Sequence, residues 1–113
     1  MKTITGWLIC RPGTRDEFLT LMEPLVAATR LEAGCRLFEY HRADRNADEI
    51  ILLEVFDSAE AHEVHRRTPH MFEMQAILRR LLGHIRLIEV VSDEVQQFEL
   101  DFITNPPGAY SPD

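Results

Sequence analysis

Cysteine is scarce in this chain: Cys10 and Cys35 are the only two in 113 residues. Two thiols exclude a disulfide-stapled scaffold. The opening residues, Met1-Lys2-Thr3-Ile4-Thr5, contain no apolar segment of signal-peptide length, so a cytoplasmic protein with reduced thiols is expected. No apolar run approaches the ~20 residues that a membrane-spanning helix requires. Cations are few as well. Twelve Lys and Arg against nineteen Asp and Glu leave a formal charge of −7. That balance excludes the basic stripe used to neutralise phosphates and disfavours docking on anionic membranes, so neither nucleic acid nor membrane is an expected partner. A dinucleotide fingerprint of the GxGxxG type is missing, as are internal repeats and low-complexity tracts.

What is present is a globular composition, 45% hydrophobic and 27% charged, with length for one core. Residues 3–11, TITGWLICR, read as a strand that stops at Pro12-Gly13. Thr14 stands three before Glu17, a capping-box spacing, and opens a helix to about Leu31 with Phe18, Leu19, Met22, Leu25 and Val26 on its apolar face. Pro24 should kink it. Gly34 marks its exit.

CRLFEYHR (35–42) and EIILLEVF (49–56) form two strands joined by the polar turn ADRNAD. Asp57 and Glu60 repeat the capping-box spacing and start a second helix, interrupted at Thr68-Pro69. Met71, Met74, Leu78, Leu81 and Leu82 continue as an apolar stripe to Gly83, and residues 84–92 form a fourth strand.

The order β-α-β-β-α-β is that of an α+β, ferredoxin-like fold spanning residues 1–94, an antiparallel sheet with helices on one face. The other face then needs a cover, and a second copy is the simplest, which predicts a homodimer. Residues 95–113 form an extension in which Phe98, Leu100 and Phe102 alternate with acids, the period of a half-buried strand that reaches across a dimer. An intrachain edge strand or a frayed end is the alternative.

Three segments carry a family resemblance: EAGCRLFEY, LLEVFDSAEAHEVHRRTPH, and a tail after the last strand. They resemble the antibiotic-biosynthesis monooxygenase domain, a family of small dimeric α/β-barrel proteins that includes quinol monooxygenases. The matching residues are Glu32, Gly34 and Tyr40; Glu54 and Phe56; and Ala61, His65, Thr68 and His70. The resemblance implies a cofactor-independent oxidation of a quinol or phenolic molecule by O2. The family's chemistry is diverse, however, and the reaction has to be argued from the site.

Three of five histidines, His62, His65 and His70, fall within nine residues. His62 and His65, three apart on a helix, could share a metal, and Glu54 or His70 could be recruited. No cysteine lies nearby and the spacing fits no compact zinc signature, so no metal is expected. The acid/base reading places His65 toward the sheet as the base, Glu54 as its orienting partner, and Tyr40 as a hydrogen-bond donor to substrate. His62 is read as solvent-facing, and His70 as lining the pocket mouth. Phe38, Phe56, Phe72 and Trp7 are candidates for the walls of an apolar cleft suited to a flat aromatic ligand, although core packing is the commoner fate of such residues.

His41 and His84 receive no role. Haem degradation is not expected, since Gly6-Trp7 and Gln75 stand where haem-degrading relatives use an asparagine and an axial histidine. Two other readings stay open. One is isomerisation of a small hydroxy-ketone, with Arg36, Arg66 or Arg67 as the anion contact for a phosphorylated substrate. The other is a non-catalytic dimeric binding or stress protein with structural histidines.

Overall fold

Alternation along the first strand decides which side of the sheet becomes the core. In β1 (Lys2–Cys10), Ile4, Leu8 and Cys10 are buried, while Trp7 and Ile9, on the opposite face, are only partly covered. The chain continues through α1 (Arg15–Arg30), β2 (Cys35–Arg42), β3 (Glu49–Phe56), α2 (Ala59–Arg66), α3 (Pro69–Leu81) and β4 (Leu82–Val91). This computed structural model describes residues 1–99. The four strands are antiparallel in the order β2-β3-β1-β4, the expected ferredoxin-like sheet. All three helices lie on one face, over a core of Leu8, Phe18, Met22, Phe38, Ile50, Phe56 and Met74.

Local chemistry explains most boundaries. In α1, Phe18, Met22, Leu25, Val26 and Thr29 are buried at helical spacing, and the Thr29 hydroxyl is satisfied by donating to Leu25 O at 2.9 Å. Pro24 sits on its exposed face, and the helix passes through as one element. The capping box expected at Thr14 does not form, because its hydroxyl donates to Arg11 O at 2.8 Å. At α2 the cap is Ser58 instead of Asp57. Ser58 Oγ accepts from Ala61 N at 3.0 Å, while Asp57 is drawn away to pair with Arg36. Thr68 caps α3 as expected, accepting from Met71 N, with Pro69 at the first helical position. No loop separates α3 from β4: Leu82 ends the helix and begins the strand two residues earlier than expected.

The helix-free face carries Trp7, Ile51, Leu53, Ile88 and Val90. Arg86, the register partner of Trp7, stacks over its ring at 4.4 Å. No described element covers this face. Residues 92–99 add no strand, and Phe98 is exposed. The expected strand in the extension continues through Leu100 and Phe102, which lie outside the described residues. Among the described residues, no helix is long and apolar enough to cross a membrane.

Candidate functional site

Between α2, α3 and the sheet lies a cavity of about 310 Å³, lined from all four strands. That is the lower end of the ~300–1,000 Å³ range of small-molecule pockets. Its walls are mostly apolar, with Ile4, Leu8, Leu52, Met71, Met74 and Leu87 among them. Gly6 lies beneath: a Cβ there would come within 2.9 Å of Leu87 and 3.1 Å of Leu52, so glycine leaves those two walls room. Into this surface are set Tyr40, Glu54, His62, His65, Arg66, Gln75 and Glu89.

Helical geometry puts both His62 and His65 here. Residues three apart lie on one helix face, and in α2 that face meets the sheet. His62 is therefore buried, not solvent-facing; Val64 takes the wet position at 61% exposure. The rings of His62 and His65 lie 6.0 Å apart, and Phe56 packs against them at 5.1 and 5.2 Å. Burial pushes the His62 imidazole down to about 4, so it is neutral near pH 7. Its Nδ1 is buried with no hydrogen-bond partner among the described residues.

The carboxylate that holds His65 is Glu32, not Glu54. Glu32 Oε2 lies 2.8 Å from His65 Nδ1 and 2.7 Å from His70 Nε2, so one oxygen serves two imidazoles. Glu32 stands in the loop after α1, and Gly34 explains how that loop reaches α2. A Cβ at position 34 would lie 2.5 Å from the Ala61 Cβ, and Gly34 O also accepts from Asp57 N at 2.9 Å. Only glycine lets the loop backbone press this closely on the start of the helix.

Glu54 lines the cavity but makes no hydrogen bond or ion pair among the described residues. Burial first, then the nearby charge of Glu89, raises its carboxyl to about 7, with Lys2 opposing. It can hold or release a proton near neutral pH. Tyr40 is packed edge-on against Phe18 and Phe38 at 5.3 and 5.6 Å. Burial and the Glu54 charge push its phenol well above the ordinary range, which keeps it a hydrogen-bond donor.

The other expected wall residues divide. Phe38 lines the cavity, and Phe56 supports its two histidines from the core. Trp7 does not reach it, because strand alternation sends that ring to the helix-free face. Phe72 does not either: it is 60% exposed on the outer side of α3. His70 turns to Glu32 and is absent from the lining. Glu32 and His62 take part without having been assigned there, and of the three arginines named as anion contacts only Arg66 lines the cavity. The one sequence signal for Glu32 was its place two before Gly34.

A second property of the trio bears on metals. One donor atom each from Glu32, His65 and His70 all lie within 4.8 Å of one another, so folding assembles a ligand-like cluster that local spacing did not predict.

The geometry can now be set beside known proteins. Residues 8–77 match the family model described as antibiotic biosynthesis monooxygenase. The chain belongs to that family. It is 34% identical over 73 residues to "Putative monooxygenase Rv0793" of Mycobacterium tuberculosis, covering 64% of this chain and 70% of that protein. An uncharacterised Synechocystis protein is 23% identical over 70 residues, 62% of this chain and 48% of its own length. The structure of the M. tuberculosis protein superposes with a TM-score of 0.75 at 23% identity, covering 85% of this chain and 98% of that one. A Deinococcus radiodurans family member gives 0.76 at 19% identity, covering 88% and 99%. At these identities the superpositions support the fold, and family membership supports a monooxygenase-like role in general terms.

Proposed function

We propose that this family member oxidises a quinol or phenolic small molecule with O2, without a cofactor, in the cavity between α2, α3 and the sheet. The observation that carries the reading is His65, fixed through Nδ1 to Glu32 at the wall of an apolar cavity. The Nδ1–H donates to the carboxylate, leaving Nε2 with the lone pair. A carboxylate in that position both selects the tautomer and stabilises the imidazolium formed on proton uptake.

In the proposed reaction His65 takes the proton of a substrate hydroxyl. The resulting anion passes one electron to O2, and the substrate radical and superoxide combine to form a C–O bond. The peroxide anion recovers the proton from His65. Where the oxidised carbon bears a hydrogen, its loss with O–O cleavage releases water and leaves a carbonyl, so the substrate supplies every electron. Apolar walls serve by keeping the radical pair out of water. Tyr40 donates to a substrate oxygen, and Glu54, near neutral pH, is a second proton site in the same cavity.

The test is aerobic turnover of a quinol and polyphenol panel by the purified protein, with dissolved oxygen monitored. Oxygen uptake stoichiometric with product is expected. Conversion that proceeds equally well without oxygen would point to the isomerase reading, and binding without conversion to a ligand-binding protein.

We also propose that the helix-free face seats a second copy of the chain. Trp7, Ile51, Leu53, Ile88 and Val90 give that face the large apolar side chains a homodimer interface needs, set among Thr3, Thr5 and Arg86. Sedimentation should give a dimer at micromolar concentration; a monomer would refute it.

A further inference from the structure

We infer that Glu32, His65 and His70 form a binding site for a divalent transition-metal ion of the Zn2+, Co2+ or Fe2+ class. The inference does not depend on the oxygenase reading, because the ligands are assembled whether or not the cavity turns over substrate.

Two imidazoles and one carboxylate suit borderline first-row divalent ions, which take three protein ligands and complete their coordination with water. The donor atoms are already gathered: all three lie within 4.8 Å of one another, and the two nitrogens lie 2.8 and 2.7 Å from the same oxygen. Ligands held ~2.0–2.2 Å from a common ion lie ~3.0–3.4 Å apart. The two oxygen–nitrogen pairs therefore open by a few tenths of an ångström, and the two nitrogens, within 4.8 Å of each other, close toward the same separation, with the ion replacing the two bridging protons.

Glu32 adds a second observation. With both hydrogen bonds ending on Oε2, its Oε1 is buried without a partner among the described residues. A buried acceptor left unmatched is costly. Bidentate coordination would satisfy it at once. The site is also accessible: the side chains of Glu32 and His70 retain 12% and 18% exposure, while His65 is sealed at 1%. An ion can enter past His70 and take up waters on that side.

Occupancy would have a consequence for the cavity. A metal on His65 Nδ1 displaces the proton to Nε2, which turns that nitrogen from acceptor to donor. Metal binding and proton abstraction by His65 are then mutually exclusive, so the ion would act as an inhibitor of the proposed turnover.

The experiment is Co2+ titration of the intact protein, followed by visible d–d absorption, with Zn2+ competition and thermal unfolding in parallel. One Co2+ per chain is expected, displaced by Zn2+, and Zn2+ should raise the melting temperature of the wild type. His70→Gln keeps an N–H for Glu32 but is a poor ligand. It should bind at least ~100-fold more weakly and lose the thermal shift, since even outer-sphere losses cost 10–100-fold. His41→Ala and His84→Ala, at exposed histidines, should bind as the wild type does. Absence of binding at millimolar metal would overturn the site. So would affinity unchanged in His70→Gln, or affinity lost in the surface-histidine variants. Because the readout is absorption and melting, the oxygenase reading can fail while the metal site stands, and the reverse.

Discussion

His65→Ala is expected to lower turnover of any quinol or phenol the protein accepts by ~10²–10⁴-fold, the usual contribution of a positioned acid/base group. The loss should fall on kcat more than on KM, because the ring contributes one edge of a cavity whose other walls remain. The pH–rate profile should also lose the limb that imidazole titration supplies. Glu32→Gln should produce a smaller drop with the same kinetic signature. The amide keeps the shape and one acceptor oxygen but removes the charge that stabilises the imidazolium. His65 is 1% exposed and packs against Phe38 and Phe56 at 5.6 and 5.2 Å, so its removal also leaves a void in the core. Activities must therefore be compared on protein shown to be folded by circular dichroism, and His65→Gln, which fills more of the space, provides the second reading. Retention of full kcat in both folded variants would remove His65 from the chemistry and leave Glu54 as the proton acceptor.

The difference between His65 and Glu54 as bases is also the difference between what a linear sequence can and cannot disclose. The hairpin was legible, because Cys35–Arg42 and Glu49–Phe56 are β-rich runs separated by six polar or small residues. The bare sheet face was legible from the order of elements alone. The histidine face of α2 was misread: His62 was set on the wet side, although it stands one turn before His65 and shares its helix face. The i, i+3 partner of His65 is His62, and it is this pair that the fold buries.

The partner of His65 was misplaced for a different reason. Glu54, eleven residues away and at the end of the preceding strand, is the nearer carboxylate in sequence. Glu32 stands 33 residues away, and only the contact between Gly34 and Ala61 brings it to α2. A missing Cβ is a weak sequence signal and a strong geometric one. The ligand-like trio was hidden for the same reason, since its third member comes from another loop. Trp7 and Phe72 illustrate the opposite error, in which residue type stood in for position. Strand alternation and helix phase send both away from the cavity.

Glu54→Gln is expected to stabilise the folded protein at alkaline pH, and the size and sign follow from its surroundings. Burial, reinforced by Glu89, raises the carboxyl from 4.5 to about 7 on folding. Between those values the folded state holds a proton that the unfolded chain has lost, so stability falls as pH rises through the window. A shift of that size corresponds to ~3 kcal/mol, present as a cost above pH ~7 and absent below pH ~4.5.

His62 works in the other direction. Burial lowers its imidazole from 6.5 to about 4, so the unfolded chain binds the extra proton and stability rises with pH across that range. The two windows overlap, and in the wild type the slopes largely offset each other between pH ~4.5 and ~6.5. Each variant should therefore unmask the other group. Glu54→Gln should match the wild type at pH ~4, gain progressively, and unfold at higher urea by the ~3 kcal/mol equivalent at pH ~8. His62→Gln should show the complementary fall in stability between pH ~4.5 and ~7 that Glu54 alone produces. Urea unfolding of the three proteins between pH ~4 and ~8 decides it, with the variant-minus-wild-type difference removing the groups they share. A Glu54→Gln difference that stays flat with pH would mean that the carboxylate is hydrated in the folded state, and the cavity would then be too wet to shelter a radical pair.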